Sequence, residues 1–275
     1  MRRIMLCLPL CLCLGSDRPA EQPALPTAVV RADVVKDNGG ALPTAAEFEK
    51  LAKQDPIAFL EAALRRYARE VKGYNLTMQK QERLGGKLHP TEVIAVRFVE
   101  KPHSVHFTWI EGARLAERAL YVEGENDGKM LARPRGVAAR LVAGDIVSRD
   151  VAGPDARQSG RLTLNEFGLK KATERILVSW KKAKEAGNLQ VEYQGIQKIK
   201  DAGDRPCHVL KRISKTPEND GVVETTLYMD VETWLQAGAV LKDKDGMLIG
   251  GYYFRDVRLN PEFKKDAFSR AALKP

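Results

Sequence analysis

The sequence predicts an α+β fold in which helices cover one face of an antiparallel β-sheet. Residues 222–268 contain three β-rich runs separated by short polar turns, the pattern of an antiparallel meander. Runs with a period of two also fill residues 74–133. Helical patterns precede these strands and separate the two groups, and helices collected on one face of such a sheet define the α+β class.

The N-terminus has the pattern of a secretory signal. Arg2 and Arg3 precede an apolar run over residues 4–14, and small residues follow it. The run is shorter than the roughly 20 apolar residues that span a bilayer. We therefore expect a signal peptide over residues 1–15 and export to the periplasm or cell envelope; a buried N-terminal helix is the alternative.

Composition divides the rest of the chain. Residues 16–42 are rich in Pro, Ala, Gly and Asp and lack a sustained apolar period, so we expect a disordered linker there. A single domain is then predicted over residues 43–275. Cys207 is the one cysteine beyond the signal, and one thiol cannot form an internal disulfide.

The formal net charge is +9. A basic balance suits nucleic acid, anionic lipid or acidic polysaccharide. Here Lys and Arg alternate with Asp and Glu, and no run of five like charges occurs, so a nucleic-acid partner is not expected.

Two helical regions are predicted. Residues 44–71 begin with a capping-box spacing between Thr44 and Glu47, and Pro56 divides the region into two helices. Residues 165–186 form the longer helix, whose apolar stripe includes Trp180.

Strands are predicted from alternation and from turn residues. Tyr74, Leu76 and Met78 share one face of the first strand. The others are expected at 92–99, 104–109, 120–123, 129–133, 141–151, 190–199 and 206–213, before the closing meander, with a polar loop over 153–164.

Several segments together resemble a bacterial secreted family known only as a domain of unknown function, of the DUF1571 type. They are Glu70-Val-Lys-Gly-Tyr74, Gln81-Glu-Arg83, Val96-Arg-Phe98, Lys101-Pro-x-Ser104-Val105, Tyr121-Val-Glu-Gly124, Asn126-Asp-Gly-Lys129 and Phe167-Gly-Leu169.

The closing region, with Tyr228-Met-Asp230, Asp245-Gly246, Tyr252 to Asp256 and Leu259-Asn-Pro261, also resembles the lipoprotein-localisation carriers of the LolA/LolB-like fold. That resemblance implies a strongly curved antiparallel sheet, an unclosed half-barrel, wrapped around helices on its concave face. It also implies a hydrophobic hollow between them.

Catalytic and metal-binding patterns are not found. The sequence lacks a phosphate loop, a Gly-x-Ser-x-Gly elbow and the Cys-x-x-Cys and His-Glu-x-x-His spacings. His103 and His106 would face opposite sides of a strand, as would Cys207 and His208. Neither a catalytic residue, a metal site nor a cofactor is therefore predicted, and the protein is not expected to be an enzyme.

Apolar and aromatic side chains remain as candidates for a ligand site. We expect a hollow for a lipid or lipoprotein acyl chain to be lined by Tyr74, Leu76, Met78, Val105, Phe107, Trp109, Tyr121 and Trp180. The alternative is that these side chains simply form the core, as regular apolar stripes usually do. Trp234 is a candidate for an exposed recognition aromatic, or else packs at the rim of the sheet.

Two functions follow from these alternatives. The first is a non-catalytic carrier of a hydrophobic ligand in the envelope, and the second is a structural or protein-interaction module with a self-filled core. A peripheral membrane or envelope partner is compatible with both. An empty apolar cavity of a few hundred Å³ would favour the carrier. The oligomeric state is left open by the sequence.

Overall fold

A computed structural model describes residues 35–274 and shows a single antiparallel sheet with helices on one face. Its strands are β1 Gly73–Leu84, β2 Lys87–Leu88, β3 Glu92–Val99, β4 Ser104–Glu111, β5 Ala116–Val122, β6 Lys129–Pro134, β7 Val147–Asp150, β8 Val191–Ile199, β9 Arg205–Ile213, β10 Glu224–Asp230, β11 Gln236–Lys242 and β12 Leu248–Leu259. The helices are α1 Ala45–Gln54, α2 Pro56–Glu70, α3 Val137–Ala143, α4 Pro154–Ser159 and α5 Leu169–Glu185.

The sheet consists of two meanders joined at its middle. The strand order is β7-β6-β5-β4-β3-β1-β12-β11-β10-β9-β8, and β2 pairs with the end of β1. The junction is the antiparallel pair β1–β12, in which Tyr74 lies opposite Leu259 and Glu82 lies opposite Gly250. The sheet is curved and does not close into a barrel, so the predicted fold class is confirmed.

Two helices at the N-terminus of the domain begin where the sequence predicts. The Thr44 hydroxyl accepts from the Glu47 N–H while the Glu47 carboxylate accepts from the Thr44 N–H, which completes the capping box. Asp55 then caps α2, and Pro56 occupies its first turn, where a missing N–H costs nothing. Division of this region into two helices is confirmed.

Helix α5 begins at Leu169 rather than at the predicted Asn165. Residues 164–166 instead form a short 3₁₀ turn, in which Thr163 and Glu166 make a second capping box. Gly168 follows with φ +142°, a conformation that a helix cannot contain. The Leu169 N–H donates to the Tyr74 hydroxyl at 3.0 Å, which fixes the helix start against β1.

The strand predicted over residues 141–151 is wrong in its first part. Residues 137–143 are helical, and only Val147–Asp150 pairs with β6. The stretch Ala138-Ala139-Arg140-Leu141 consists of strong helix formers, and their propensity outweighs the β-branched residues around them. The polar loop predicted over 153–164 likewise contains a short helix, α4.

The core on the helical side has two parts. The helical cluster packs α1, α2 and α5 against β9 and β10, with Phe48, Phe59, Leu177, Leu210 and Leu227 among its buried side chains. The central cluster lies between β1, β3, β4 and β5 and the connection from β7 to α5.

The expected linker overlaps the structure only at residues 35–42, where Asp37 pairs with Arg69. The predicted signal peptide lies outside the described residues.

The opposite face of the N-terminal meander is covered by the C-terminal turn. Leu273 is fully buried there against Leu120 and Leu131. His106 lies on the same face of β4, opposite Arg97 and Leu120 on the neighbouring strands. Its two ring nitrogens are buried and have no hydrogen-bond partner within the described chain.

We expect folding stability to fall as pH decreases from about 6.5 towards 4. Burial, together with Arg97 and Arg118, lowers the pKa of His106 to about 4, and burial with the Lys171 ammonium lowers the pKa of His103 to about 4. Below pH 6.5 the unfolded chain therefore binds protons that the folded chain does not. The loss is up to about 3 kcal/mol for each histidine.

Urea unfolding between pH 7.5 and 4.5 measures this slope. His106→Leu should flatten it, and should raise stability at pH 7 by about 1 kcal/mol because two unpartnered buried nitrogens are removed. A variant with the same slope as the wild type would assign the pH dependence to other groups.

Candidate functional site

Seven of the eight predicted ligand-lining residues lie together in the central cluster. Tyr74, Leu76, Met78, Val105 and Phe107 are buried within it, and Trp109 and Tyr121 pack against it while partly exposed. Trp180 lies apart from them in the helical cluster. Alternation along β1 and β4 brings six of the seven to one face of the sheet, and Tyr121 joins them from β5, where it pairs with Val105.

The connection from β7 to α5, residues 151–168, covers this group; we call it the roof. Its Phe167 ring meets Phe107 edge to face, with centroids 4.9 Å apart, and lies 6.1 Å from Phe98. The Phe98 ring in turn stacks on Tyr74 at 4.7 Å. Leu164, Val151 and Ala156 of the roof are also buried in the cluster. Aromatic side chains of the protein itself therefore occupy the space above the predicted residues.

The cavity found on the helical side of the sheet, next to the central cluster, is small. A cavity between α2, α5 and residues 234–236 measures about 10 Å³, enough for one water molecule. A larger groove of about 210 Å³ lies on the opposite face of β1, β11 and β12, where Gln79, Gln81 and Tyr253 line it. That groove has a mixed lining, which also includes Val240 and Leu248, and the sheet separates it from the predicted residues.

A layer of buried charges continues the inner face of β1 beyond Met78. The Lys80 Nζ lies 3.0 Å from the Glu82 carboxylate and 3.3 Å from that of Glu92. Glu92 also accepts from the Trp109 indole N–H at 2.7 Å and from Arg114 Nε at 2.9 Å. We call Lys80, Glu82 and Glu92 the charged layer; because every member is paired, it can remain buried.

Further hydrogen bonds hold the charged layer to the roof and to β12. The Tyr252 hydroxyl donates to Glu82 at 2.7 Å, and Lys80 donates to the Ser159 carbonyl at 3.1 Å. Burial beside the Glu82 carboxylate raises the pKa of Tyr252 well above its usual value. The phenol therefore stays protonated and acts as a donor.

Cys207 and His208 do not form a reactive pair. They lie opposite Asp230 and Met229 in successive register positions of β9, so their side chains leave opposite faces of the sheet. The thiol is fully buried, and burial raises its pKa to about 12, so it is not a thiolate at neutral pH. His208 bonds instead to the Tyr193 hydroxyl at 3.0 Å. Among residues 35–274, no group of three or more His, Cys, Asp or Glu side chains is arranged to hold a metal ion.

Trp234 is not an exposed recognition residue. Its ring stacks on Phe48 with centroids 3.9 Å apart, and the Arg66 guanidinium lies 4.7 Å from the ring. Only 5% of the residue is exposed. The structure thus favours the alternative of packing at the end of the β10–β11 turn.

Exposed apolar side chains collect along one rim of the sheet, formed by strand ends rather than by an edge strand. This edge carries the ends of β1, β4, β6, β9 and β11 and the connections that follow them. Of eleven large apolar side chains exposed within residues 35–274, eight lie there. We call this group the apolar edge: Leu88, Ile110, Leu115, Val137, Leu141, Val142, Ile213 and Met247.

The profile of the family described as "Protein of unknown function (DUF1571)" matches residues 71–274. The chain belongs to this family. The predicted family is thereby confirmed. No curated protein matches the sequence.

Three solved structures are similar to this DUF1571 chain. The MucB chain of the Pseudomonas aeruginosa MucA/MucB complex is 17% identical with a TM-score of 0.43, covering 80% of this chain and 62% of that one. Lipoprotein LppX of Mycobacterium tuberculosis is 11% identical with a TM-score of 0.43, covering 76% and 99%. A LolA superfamily protein from Nitrosomonas europaea is 8% identical with a TM-score of 0.35, covering 78% and 98%.

Two features of this DUF1571 chain were not found from its sequence. The charged layer could have been found, because the period of two that places Leu76 and Met78 inward also places Lys80 and Glu82 inward. Helix α3 was missed because its last residues, from Leu141, were interpreted as the start of a strand. Among the described residues, no helix is both long and apolar enough to cross a membrane.

Proposed function

We propose that the protein is a non-catalytic binding protein of the bacterial envelope that contacts a hydrophobic partner with its surface. The observation that carries this proposal is the filled interior. Phe167 and Leu164 occupy the space next to Val105 and Phe107, whereas eight apolar side chains are left exposed at one edge. Three of the eight, Val137, Leu141 and Val142, lie together on α3, and an exposed apolar patch is typical of interaction sites.

The charged layer supports surface contact over enclosure. It lies on the inner face of β1 and β3, between Met78 and the apolar edge. An acyl chain entering from that edge would have to pass Lys80 and Glu92, and separating buried, paired charges is costly. The filled interior and the charged layer both agree with the interaction-module alternative.

Lipid extraction and titration test this proposal. Protein purified from an exporting host should release no stoichiometric lipid, and a fluorescent fatty acid should show no saturable binding to the folded wild type. Stoichiometric lipid, or saturable binding with one site per chain, would contradict the proposal and favour an enclosed ligand.

A carrier of an acyl chain is the second candidate, favoured by the gathering of seven predicted residues under the roof. In a carrier the Phe167 ring would stand where the ligand binds. Phe167→Ala should then increase the affinity for the fluorescent fatty acid, because the ring no longer competes. Under the surface-binding proposal, Phe167→Ala lowers stability by about 3–5 kcal/mol and binding stays absent.

A further inference from the structure

Helix α3 has its apolar side chains towards the solvent and its charged side chain towards the protein, unlike an ordinary surface helix. Its residues Val137, Leu141 and Val142 are 65%, 82% and 91% exposed, and none of its seven residues is buried. Its one charged residue, Arg140, faces the protein: its side chain is 19% exposed and pairs with Glu117 at 2.6 Å. The helix therefore presents apolar side chains alone to the solvent, the reverse of the usual arrangement.

Helix α3 is connected to the β4–β5 hairpin by a backbone hydrogen bond, while the space around the glycines at its two ends is open. Gly136 and Gly144 flank it at φ +86° and +99°, and a Cβ at either position would meet no atom within 4 Å. The Arg135 N–H donates to the Leu115 carbonyl at 2.9 Å, which places α3 beside the β4–β5 hairpin tip. Ile110 and Leu115 of that hairpin extend the exposed apolar surface.

The charges around this surface favour a negatively charged partner. Residues 110–118 and 133–145 contain five arginines against three carboxylates. Two of those carboxylates, Glu117 and Asp145, are already paired with Arg133 and Arg140. Among the described residues, neither Arg135 nor Lys87 has a carboxylate partner. The whole chain is also basic, with a net charge of +9.

We propose that α3 and the β4–β5 hairpin dock the protein onto the surface of an anionic phospholipid bilayer, with Val137, Leu141 and Val142 entering the boundary between headgroups and acyl chains. This inference rests on the proposed function and names its partner. The apolar side chains stand on protruding tips along an edge rather than lining a groove. A bilayer surface accepts such an array without a groove. Apolar insertion beside Arg and Lys is the way that peripheral proteins bind anionic lipid.

Vesicle co-sedimentation tests the inference. The probes are unilamellar vesicles of phosphatidylcholine alone and of phosphatidylcholine mixed with phosphatidylglycerol. The wild type should bind the mixed vesicles, and bind less at high salt and to phosphatidylcholine alone. Leu141→Asp/Val142→Asp should weaken binding at least about tenfold, since both side chains are removed from the lipid. Arg135→Glu should weaken binding to the mixed vesicles more than to phosphatidylcholine.

The substituted residues are exposed, so the variants should fold as the wild type does. Leu141 and Val142 contact little of the protein, so circular dichroism and urea unfolding should match the wild type. Val178→Asp, at a 37% exposed position on α5, is the matched control and should bind as the wild type does. All forms carry the same N-terminal segment, so a difference between them reports on α3.

Three results would overturn the inference. They are wild-type protein that does not bind mixed vesicles, a double variant that binds as well as the wild type, and a dimer in sedimentation velocity that the double variant abolishes while vesicle binding is unchanged. Lipid extraction tests the filled interior independently, so failure of bilayer docking is distinguishable from failure of surface binding itself.

Discussion

Trp180→Ala should lower the free energy of unfolding by about 3–5 kcal/mol, the range for truncating a fully buried large aromatic residue. Trp180 is 1% exposed and lies on α5 within the helical cluster. The cost combines the lost burial of the indole with the cavity left between α5 and the other helices. Urea unfolding followed by far-ultraviolet circular dichroism measures it without relying on tryptophan fluorescence.

A matched control is available on the same helix. Val178 lies two residues earlier and is 37% exposed, so Val178→Ala should change stability by no more than about 0.5 kcal/mol. A loss below about 1 kcal/mol for Trp180→Ala would show that the indole is solvated and that α5 packs in another way.

The fold was predictable because its signals are local. Period-two alternation identified most strands, and Pro56 with the Thr44 capping box located both N-terminal helices. The start of α5 was missed because the constraint is tertiary: the Tyr74 hydroxyl, 95 residues away in sequence, accepts from the Leu169 N–H. The curvature of the sheet came from the resemblance rather than from any residue pattern.

The candidate site was only partly predictable. Alternation brought Tyr74, Leu76 and Met78 to one face with Val105 and Phe107, as β1 and β4 require. Trp180 was grouped with them because a stripe on a helix does not show which part of a sheet it covers. Nor does a sequence show whether a space is open or filled, since that depends on where Phe167 of the roof packs. The inverted orientation of α3 depends on the contact between Arg140 and Glu117, which are 23 residues apart.

A substitution in the charged layer should lower the free energy of unfolding as much as a substitution in the hydrophobic core. Glu92→Gln should lower the free energy of unfolding by about 3 kcal/mol, because a neutral amide then faces the buried Lys80 and the partly exposed Arg114. Urea unfolding at pH 7 measures the loss. Glu111→Gln, at an exposed position at the end of β4, is the matched control and should cost less than about 0.5 kcal/mol.

A double-mutant cycle separates the loss of pairing from the loss of packing. Glu92→Gln takes away one of the two carboxylates that pair with Lys80. Lys80→Met then removes the cation itself, so the double variant should lose less stability than the two single variants added together. The difference is expected at about 1–3 kcal/mol for groups in one network. Strict additivity would mean that water screens Lys80 from Glu92. A charged layer open to water would no longer bar an acyl chain from the central cluster, and that would weigh against surface binding and for a carrier.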